Sequence, residues 1–344
     1  MPPPPIPQAQ APLLLPPPVI PLVAFRDSDE FAPLIKGADV ELIQTSADLT
    51  GGNTTEVHLE SAVLQHFRIT FGCLARASIH TSAASMFVPL KIDGPSMCNG
   101  FSMNPESLLV YGTGADYHSN TLAGFECVLL PFKTDAILHT IAAMTQQAPP
   151  DFSGHCQSIR PPAEILASVH HMLTDAVHLA QSNPHILASR NGLLALERSL
   201  HTAFALLLSR SRREGLRFRR RTQLAHSNIR RRVEVYLEAH LFEPVYLADL
   251  CAATGASERT IEQVFQKAYG VSPLRYLKLR RLNLARQRLR DGTPGRTRVT
   301  DVAFDCGFWE LGRFAADYAA LFGESPSQTL APDPRPKGGR FSRF

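Results

Sequence analysis

Hydrophobic and polar positions alternate along this chain in different ways, and the first pattern predicts β-structure. From residue 25 to about residue 156, short apolar runs are separated by Gly, Asn, Ser and Pro, a spacing typical of a small β-barrel or sandwich. These runs lie at 57–59, 67–71, 86–90, 108–111 and 127–130. Barrels of this size admit one small ligand at their mouth, so this region suits a sensor.

A helical period follows in residues 162–210. The first apolar stripe comprises Ile165, Val169, Met172, Ala176 and Leu179, and the second comprises Leu193, Leu196, Leu200, Phe204 and Leu207. Two amphipathic helices packed against their own domain would be its last layer, and paired across a two-fold axis they would be a dimer interface. Periodicity does not choose between these alternatives.

A short helix followed by a tight turn and a second helix is predicted at about 247–268. Leu247, Leu250 and Cys251 share one face of the first helix, and Gly255 ends it. Ser257 is a good N-cap for the next helix, because its hydroxyl accepts a backbone N–H that the first turn leaves unpaired.

The second helix of this pair has the pattern of a DNA-recognition helix. Its apolar positions are Ile261, Val264, Phe265 and Ala268, and its outward positions are Arg259, Thr260, Glu262, Gln263 and Lys267. Groove entry requires donors and acceptors near the helix N-terminus, which Arg and Gln supply. Alternatives remain open, because Glu262 could be a solvated charge and Arg259 could form an intramolecular ion pair.

The same helix-turn-helix pattern recurs at about 299–322, with Gly307 in the turn and a second candidate recognition helix from Glu310 onward. Between the copies, Ser272 and Pro273 begin a helix that Gly292 ends. This spacer is ~27 Å long, close to the ~34 Å between successive major grooves on one face of a duplex. Two recognition helices could therefore enter adjacent grooves.

Four segments, 270–277, 281–289, 302–308 and 322–327, resemble the AraC/XylS transcription regulators. The resemblance covers roughly residues 229–330. It implies an all-helical domain of two helix-turn-helix subdomains bridged by a rigid helix. It further implies sequence-specific binding to double-stranded promoter DNA as a homodimer, with RNA polymerase as a further partner.

By position in the family's motif, Arg259, Glu262 and Gln263 occupy base-facing sites of the first copy. The second copy departs from the pattern, since Gly312, Ala315 and Ala316 replace the polar readers of other members. Direct base reading by the second copy is thus in question, and Arg313 is better suited to a phosphate or to an intramolecular pair. The predicted DNA-binding residues are Ser257, Arg259, Thr260, Glu262, Gln263, Lys267, Glu310, Gly312 and Arg313.

Segments 25–31, 108–117 and 124–127 look like the cupin-type sensor region of an ethanolamine-regulator-like branch of this family. The expected fold class is α+β, with an N-terminal cupin-like β-barrel sensor domain, a helical connector and a C-terminal all-α domain. The unknown small-molecule effector would bind the sensor domain.

The predicted division of the chain has five parts. These are a disordered Pro-rich tail at 1–24, the sensor domain at 25–160, a helical connector with a basic linker at 161–224, the DNA-binding domain at 225–330 and a disordered tail at 331–344. Proline removes the backbone donor and fixes φ, so the first segment is expected to form neither a helix nor a central strand. A docking peptide is the alternative for that tail.

Charge divides unevenly along the chain. Residues 1–208 hold nine Lys and Arg against seventeen Asp and Glu, a net charge of −8, and residues 209–344 hold twenty-six against fourteen, a net charge of +12. A basic half supplies sequence-independent attraction to DNA phosphates. The charge therefore supports the DNA-binding interpretation without establishing it.

Other chemistry is not indicated by the residue spacing. The six cysteines form no Cys-x-x-Cys pair and are expected to be reduced. The thirteen histidines lack a cupin metal pattern, and neither a catalytic motif nor a cofactor is predicted. With no apolar span or signal peptide, we expect a cytoplasmic protein. A ligand-independent DNA-binding protein is the main alternative, and a cupin-type enzyme is less favoured.

Overall fold

The computed structural model describes residues 17–47, 51–80, 84–145, 156–210, 212–213 and 219–331. Most of the predicted proline-rich tail and residues 332–344 of the second predicted tail lie outside these residues. Among the described helices, none is both long and apolar enough to cross a membrane.

Short β-branched and aromatic runs form antiparallel strands in the N-terminal half, as their spacing predicts. The strands are β1 (Val19–Phe25), β2 (Ala38–Gln44), β3 (Gly52–His58), β4 (Val63–Ile69), β5 (Cys73–Ile79), β6 (Ala84–Lys91), β7 (Ser96–Cys98), β8 (Phe101–Met103), β9 (Leu108–Tyr111), β10 (Asp116–Thr121), β11 (Phe125–Phe132), β12 (Cys156–Arg160) and β13 (Arg212–Arg213). All five apolar runs named above contribute to strands.

The strands form two open sheets, which corrects the prediction of a cupin-like barrel. The first sheet has eight strands in the order β1-β3-β4-β11-β6-β9-β12-β13, and the second has five in the order β2-β5-β10-β7-β8. Neither order returns to its first strand, so the barrel is not closed. Apolar side chains between the sheets, among them Phe67, Phe125 and Tyr111, hold the two layers together.

The predicted disordered tail extended to Ala24, and its last part is wrong, because Val19–Phe25 is strand β1. This strand lies at the edge of the first sheet and pairs with β3. Its register shifts between Ile20 and Val23, and Pro21 lies within that shift. Proline is tolerated at edges and bulges, where its missing N–H costs no ladder hydrogen bond.

Helices cover the outer face of the first sheet. They are α2 (Thr134–Thr145), α3 (Ala163–Ser182), α4 (Pro184–Leu187) and α5 (Arg190–Arg210). The short helix α1 (Ser28–Phe31) and the 3-10 turn that follows it (Ala32–Leu34) contact β2 of the second sheet instead. Leu173 of α3 and Phe204 of α5 are buried in one core with the strands. The Gln181 side chain donates to the Thr55 hydroxyl at 2.9 Å, which attaches α3 to β3. The two predicted amphipathic helices therefore form a layer of their own domain.

The C-terminal half is helical. Its helices are α6 (Arg219–Ala239), α7 (Leu247–Thr254), α8 (Glu258–Tyr269), α9 (Pro273–Asp291), α10 (Val299–Asp305), α11 (Leu311–Phe322) and α12 (Pro326–Leu330). The fold is thus α+β, with an antiparallel N-terminal region and a helical C-terminal region. The proposed boundary between residues 224 and 225 falls inside α6, because the helix begins within the arginine-rich segment expected to be a linker.

Candidate DNA-binding interface

Helices α7 and α8 form the first helix-turn-helix, and local backbone chemistry sets the turn between them. Gly255 ends α7 with a left-handed φ of 71°, and its N–H donates to the Cys251 carbonyl at 2.8 Å. Ser257 then caps α8, since its hydroxyl accepts the Thr260 N–H at 3.3 Å. Glycine adopts this φ without strain, so the turn stays tight.

The exposed face of α8 carries a set of unpartnered polar side chains. Arg259, Glu262 and Gln263 are all exposed, and none has a hydrogen-bond or ion-pair partner among the described residues. Gln266 is also exposed. It follows Arg259 by seven residues, or about two helical turns, so both side chains lie on the same face of α8. The sequence interpretation missed Gln266, although the same helical spacing would have found it.

Two further predicted residues are placed differently. The Thr260 hydroxyl lies 2.9 Å from the Ser257 hydroxyl, so it belongs to the helix cap. The Lys267 side chain lies over Gly100 of the N-terminal region, where a Cβ atom would come within 3.2 Å of its Cε. Structure therefore groups Arg259, Glu262 and Gln263 on one free face, whereas Ser257, Thr260 and Lys267 already have neighbours within the protein.

A buried core keeps α8 in a fixed orientation. Ile261 and Phe265 are fully buried against the other C-terminal helices. The Tyr269 hydroxyl donates to the Glu234 carboxylate at 2.6 Å, and the Arg230 guanidinium donates to the same oxygen at 2.6 Å. Burial alone would lower the pKa of Arg230, but the Glu234 carboxylate raises it, so Arg230 keeps its charge. The free face of α8 is thus presented by a rigid support.

The second copy has the same scaffold and a different face. Phe314 and Tyr318 of α11 are buried, as Ile261 and Phe265 are in α8. Glu310 occupies the N-cap position without a side-chain hydrogen bond to the helix. Gly312 is exposed with open space around it, and the exposed Arg313 has no hydrogen-bond or ion-pair partner in the described chain. Ala315 and Ala316 are exposed beside them.

Helix α9 connects the two copies, and it begins and ends as its sequence predicts. The Ser272 hydroxyl accepts the Arg275 N–H at 3.3 Å, and Gly292 follows the last helical residue. The Lys278 ammonium lies 2.5 Å from the Asp317 carboxylate of α11. Because α9 also contributes Leu282 to the common core, both copies pack on one continuous helix.

The N-terminal region contacts this helical part at the first copy and at α9. The Gln44 N–H donates to the Asn283 side-chain oxygen at 3.0 Å, and the Asn283 amide donates to the Gln44 carbonyl at 3.1 Å. Arg290 lies 2.5 Å from the Asp27 carboxylate, and although burial alone would raise the pKa of Asp27, Arg290 holds it below its usual value. These contacts join residues more than 200 positions apart, so no local pattern could have indicated them.

An apolar cavity of about 70 Å³ lies between the two sheets of the N-terminal region. Phe31, Phe67, Phe87 and Phe125 are among its lining residues. Within the described residues, no group of three or more His, Cys, Asp or Glu side chains is arranged to hold a metal ion. The cavity is a candidate ligand site made of ordinary apolar side chains.

Comparisons with known proteins place residues 250–331 in a family described as a helix-turn-helix domain. The probable thc operon regulatory protein of Rhodococcus erythropolis is 40% identical over 95 residues, which are 28% of this chain and 29% of that protein. The XylDLEGF operon transcriptional activator 3 of Pseudomonas putida is 37% identical over 99 residues, which are 29% of this chain and 30% of that protein. The chain thus spans about three tenths of the length of these curated relatives.

A solved structure is similar over a comparable share of the chain. It is a probable AraC family transcriptional regulator from Rhodopseudomonas palustris, 46% identical, with a TM-score of 0.28, covering 30% of this chain and 94% of that chain. The relatives named here are regulatory proteins by their descriptions. Residues 250–331 of this chain thus form a helix-turn-helix domain similar to the matching parts of these regulatory proteins.

Proposed function

We propose that this protein is a transcriptional regulator that binds promoter DNA in a sequence-specific manner through Arg259, Glu262 and Gln263. The observation that carries the proposal is the free polar face of α8, supported by a buried core and unpartnered within the described chain. Arg reads guanine edges and Gln reads adenine edges in the major groove. The second copy contributes phosphate contact through Arg313, because Gly312 allows the helix to approach the backbone closely.

The proposal includes a small-molecule effector in the N-terminal region. The support is the apolar cavity, since ligand sites are concave and mostly apolar. The main alternative is a DNA-binding protein without a ligand. A purely electrostatic binder would gain nothing from an N-terminal half with a net charge of −8, which repels phosphate.

The proposed partners extend to a second copy of the chain and to RNA polymerase. Both follow from the sequence resemblance to AraC/XylS regulators, as does the ethanolamine-regulator-like branch. Light scattering of the full chain, with and without its DNA site, measures the oligomeric state. A monomer under both conditions would remove the homodimer from the proposal and leave DNA reading intact.

Fluorescence anisotropy tests the central proposal. The full chain is titrated onto a duplex from the promoter region of its own gene, and onto a scrambled duplex of the same composition. We expect the promoter duplex to bind at least a thousandfold more tightly at physiological salt, the lower end of the range for specific binders. Equal affinities for the two duplexes would favour the ligand-independent, architectural alternative.

A further inference from the structure

Strands β2, β5 and β10 form a wall with two different faces. Side chains alternate along a strand, so neighbouring residues point to opposite sides. The cavity side of this wall carries Ala38, Val40 and Leu42 of β2, Cys73, Ala75, Ala77 and Ile79 of β5, and Tyr117, Ser119 and Thr121 of β10. Every second residue of β5 and β10, and of β2 as far as Leu42, thus lines the cavity.

The residues between them contact the helical C-terminal region. Glu41 of β2 accepts a hydrogen bond from Arg280 at 2.9 Å, and Ile43 and Leu74 are buried in the same core as α8 and α9. Asp116 of β10 lies 3.5 Å from Arg230. One layer of backbone therefore separates the cavity from the support of the first helix-turn-helix.

Strand β10 lies directly against the C-terminal end of α8. The His118 ring is 5.8 Å from the Tyr269 ring, and Asn120 lies so close to Gly270 that a Cβ there would be 2.3 Å from its Nδ2. Burial, with the charge of Arg230, lowers the pKa of His118 to about 3, so the ring is neutral in this contact. A small shift of β10 would thus be transmitted to the end of the recognition helix.

The lining of the cavity specifies the ligand's chemistry. Among the residues that the structure describes, those around the cavity carry no charged side chain. Its hydroxyl groups are already partnered, since Tyr117 donates to the Ser119 hydroxyl at 2.9 Å and the Thr121 hydroxyl lies 3.1 Å from the Cys73 sulfur. Burial raises the pKa of the Cys73 thiol to about 11. A charged ligand would find no counter-ion there and would lose its hydration.

We propose that the cavity binds an uncharged, mainly apolar molecule with an aromatic or similarly flat ring, and that β2, β5 and β10 transmit its binding to α8. Four phenylalanines around the cavity favour a ring, because aromatic side chains pack by offset stacking or edge contact. This inference rests on the proposed function and adds two statements: the class of effector, and the copy of the helix-turn-helix on which it acts.

Two probes of one shape and different charge test the ligand class. Binding of 2-naphthol and of 2-naphthoate to the full chain is measured by equilibrium dialysis at neutral pH. We expect 2-naphthol to bind and 2-naphthoate to bind at least tenfold more weakly, because only the second carries a charge. Equal binding of the two, or binding of neither, would overturn the proposal.

Variants in β5 locate the site. Ala75→Leu and Ala77→Leu place added carbon atoms in the cavity, so each is expected to weaken 2-naphthol binding at least tenfold. Ser78→Leu is the matched control, because Ser78 is exposed on the same strand and points away from the cavity. Unchanged binding of 2-naphthol to a folded Ala75→Leu or Ala77→Leu chain would contradict the assignment of the binding site to this cavity. The ligand class is decided separately, by the binding of 2-naphthol and 2-naphthoate to the unaltered chain.

Hydrogen exchange of the full chain with and without 2-naphthol tests transmission through the wall. We expect altered amide protection in β2, β5 and β10 and in α8, and unchanged protection in α11. Changes confined to the first sheet, or equal changes in α8 and α11, would overturn the coupling. The preference for promoter DNA is measured without 2-naphthol, so it tests the proposed function alone. A negative result with 2-naphthol would therefore contradict this inference and leave the proposed function intact.

Discussion

The two helix-turn-helix copies share a scaffold and differ on the surface that would face DNA. In each copy, a short helix, a glycine turn and a longer helix share with α9 one core that contains buried aromatic residues. The first copy exposes Arg259, Glu262 and Gln263, whereas the second exposes Gly312 and Ala315 at aligned positions. The buried residues that support the second helix are therefore similar in both copies, whereas the exposed residues differ.

The copies also differ in their surroundings. Helix α8 ends against β10 of the N-terminal region, where His118 meets Tyr269. Helix α11 is connected to α9 by the ion pair of Lys278 and Asp317. This difference is the basis of the proposed division of work, in which the first copy reads sequence and receives a signal and the second supplies affinity and register.

Of the substitutions that test the difference between the two copies, Arg259→Ala is expected to have the largest effect on DNA binding. We expect specific binding to weaken by ~1–3 kcal/mol, with relaxed preference at one base position, because a bidentate Arg reads a guanine edge. Anisotropy titrations on duplexes varied one position at a time measure both quantities. Arg190→Ala is the control, since it removes the same charge from an exposed site on α5. Equal weakening on every duplex would assign Arg259 to a phosphate.

A smaller effect, on the free energy of unfolding, is expected from substitutions at the N-caps of α8 and α11. Ser257→Ala is expected to lower the free energy of unfolding by ~1 kcal/mol, since it removes the acceptor of the Thr260 N–H. Glu310→Ala is the counterpart in the second copy and is expected to change it by less than about half of that, because Glu310 makes no cap hydrogen bond. Urea unfolding of the full chain measures both, and equal losses would show that the two starts do not differ.

The smallest effect is expected from Arg313→Ala. A phosphate contact carries no sequence information, so affinity is expected to fall a few fold on all site variants alike. The slope of log affinity against log salt is expected to decrease by ~1. Titrations at several salt concentrations measure that slope. A loss confined to certain base positions would mean that Arg313 reads bases.

The sequence predicted most of this comparison because local signals determine it. Ser257, Gly255 and the apolar spacing of Ile261 and Phe265 define the first copy through backbone capping and burial along one helix face. The small residues of the second copy were likewise visible, since Gly312 and Ala315 align with Arg259 and Glu262.

Tertiary features could not be predicted in the same way. Strand pairing, and not residue composition, decides whether the sheets close, so the barrel prediction was wrong. The prolines up to Pro21 were expected to exclude a helix or a central strand and to leave the segment disordered, but an edge position with a shifted register accommodates Pro21 in β1. The contacts of Asp27 with Arg290 and of Gln44 with Asn283 join distant segments, and opposite charges or amides in a sequence do not identify their partners.

Binding-site selection from a random duplex pool, with the full chain, tests the division of work most directly. The account predicts one sharply defined block of bases, read by Arg259, Glu262 and Gln263, and a weakly defined block about one helical turn away, where Arg313 meets phosphate. In Arg259→Ala, the sharp block is expected to lose one position while the weak block stays as it was. Two equally sharp blocks in the unaltered protein would contradict the account, because Gly312, Ala315 and Ala316 carry no polar side-chain atom to read a base.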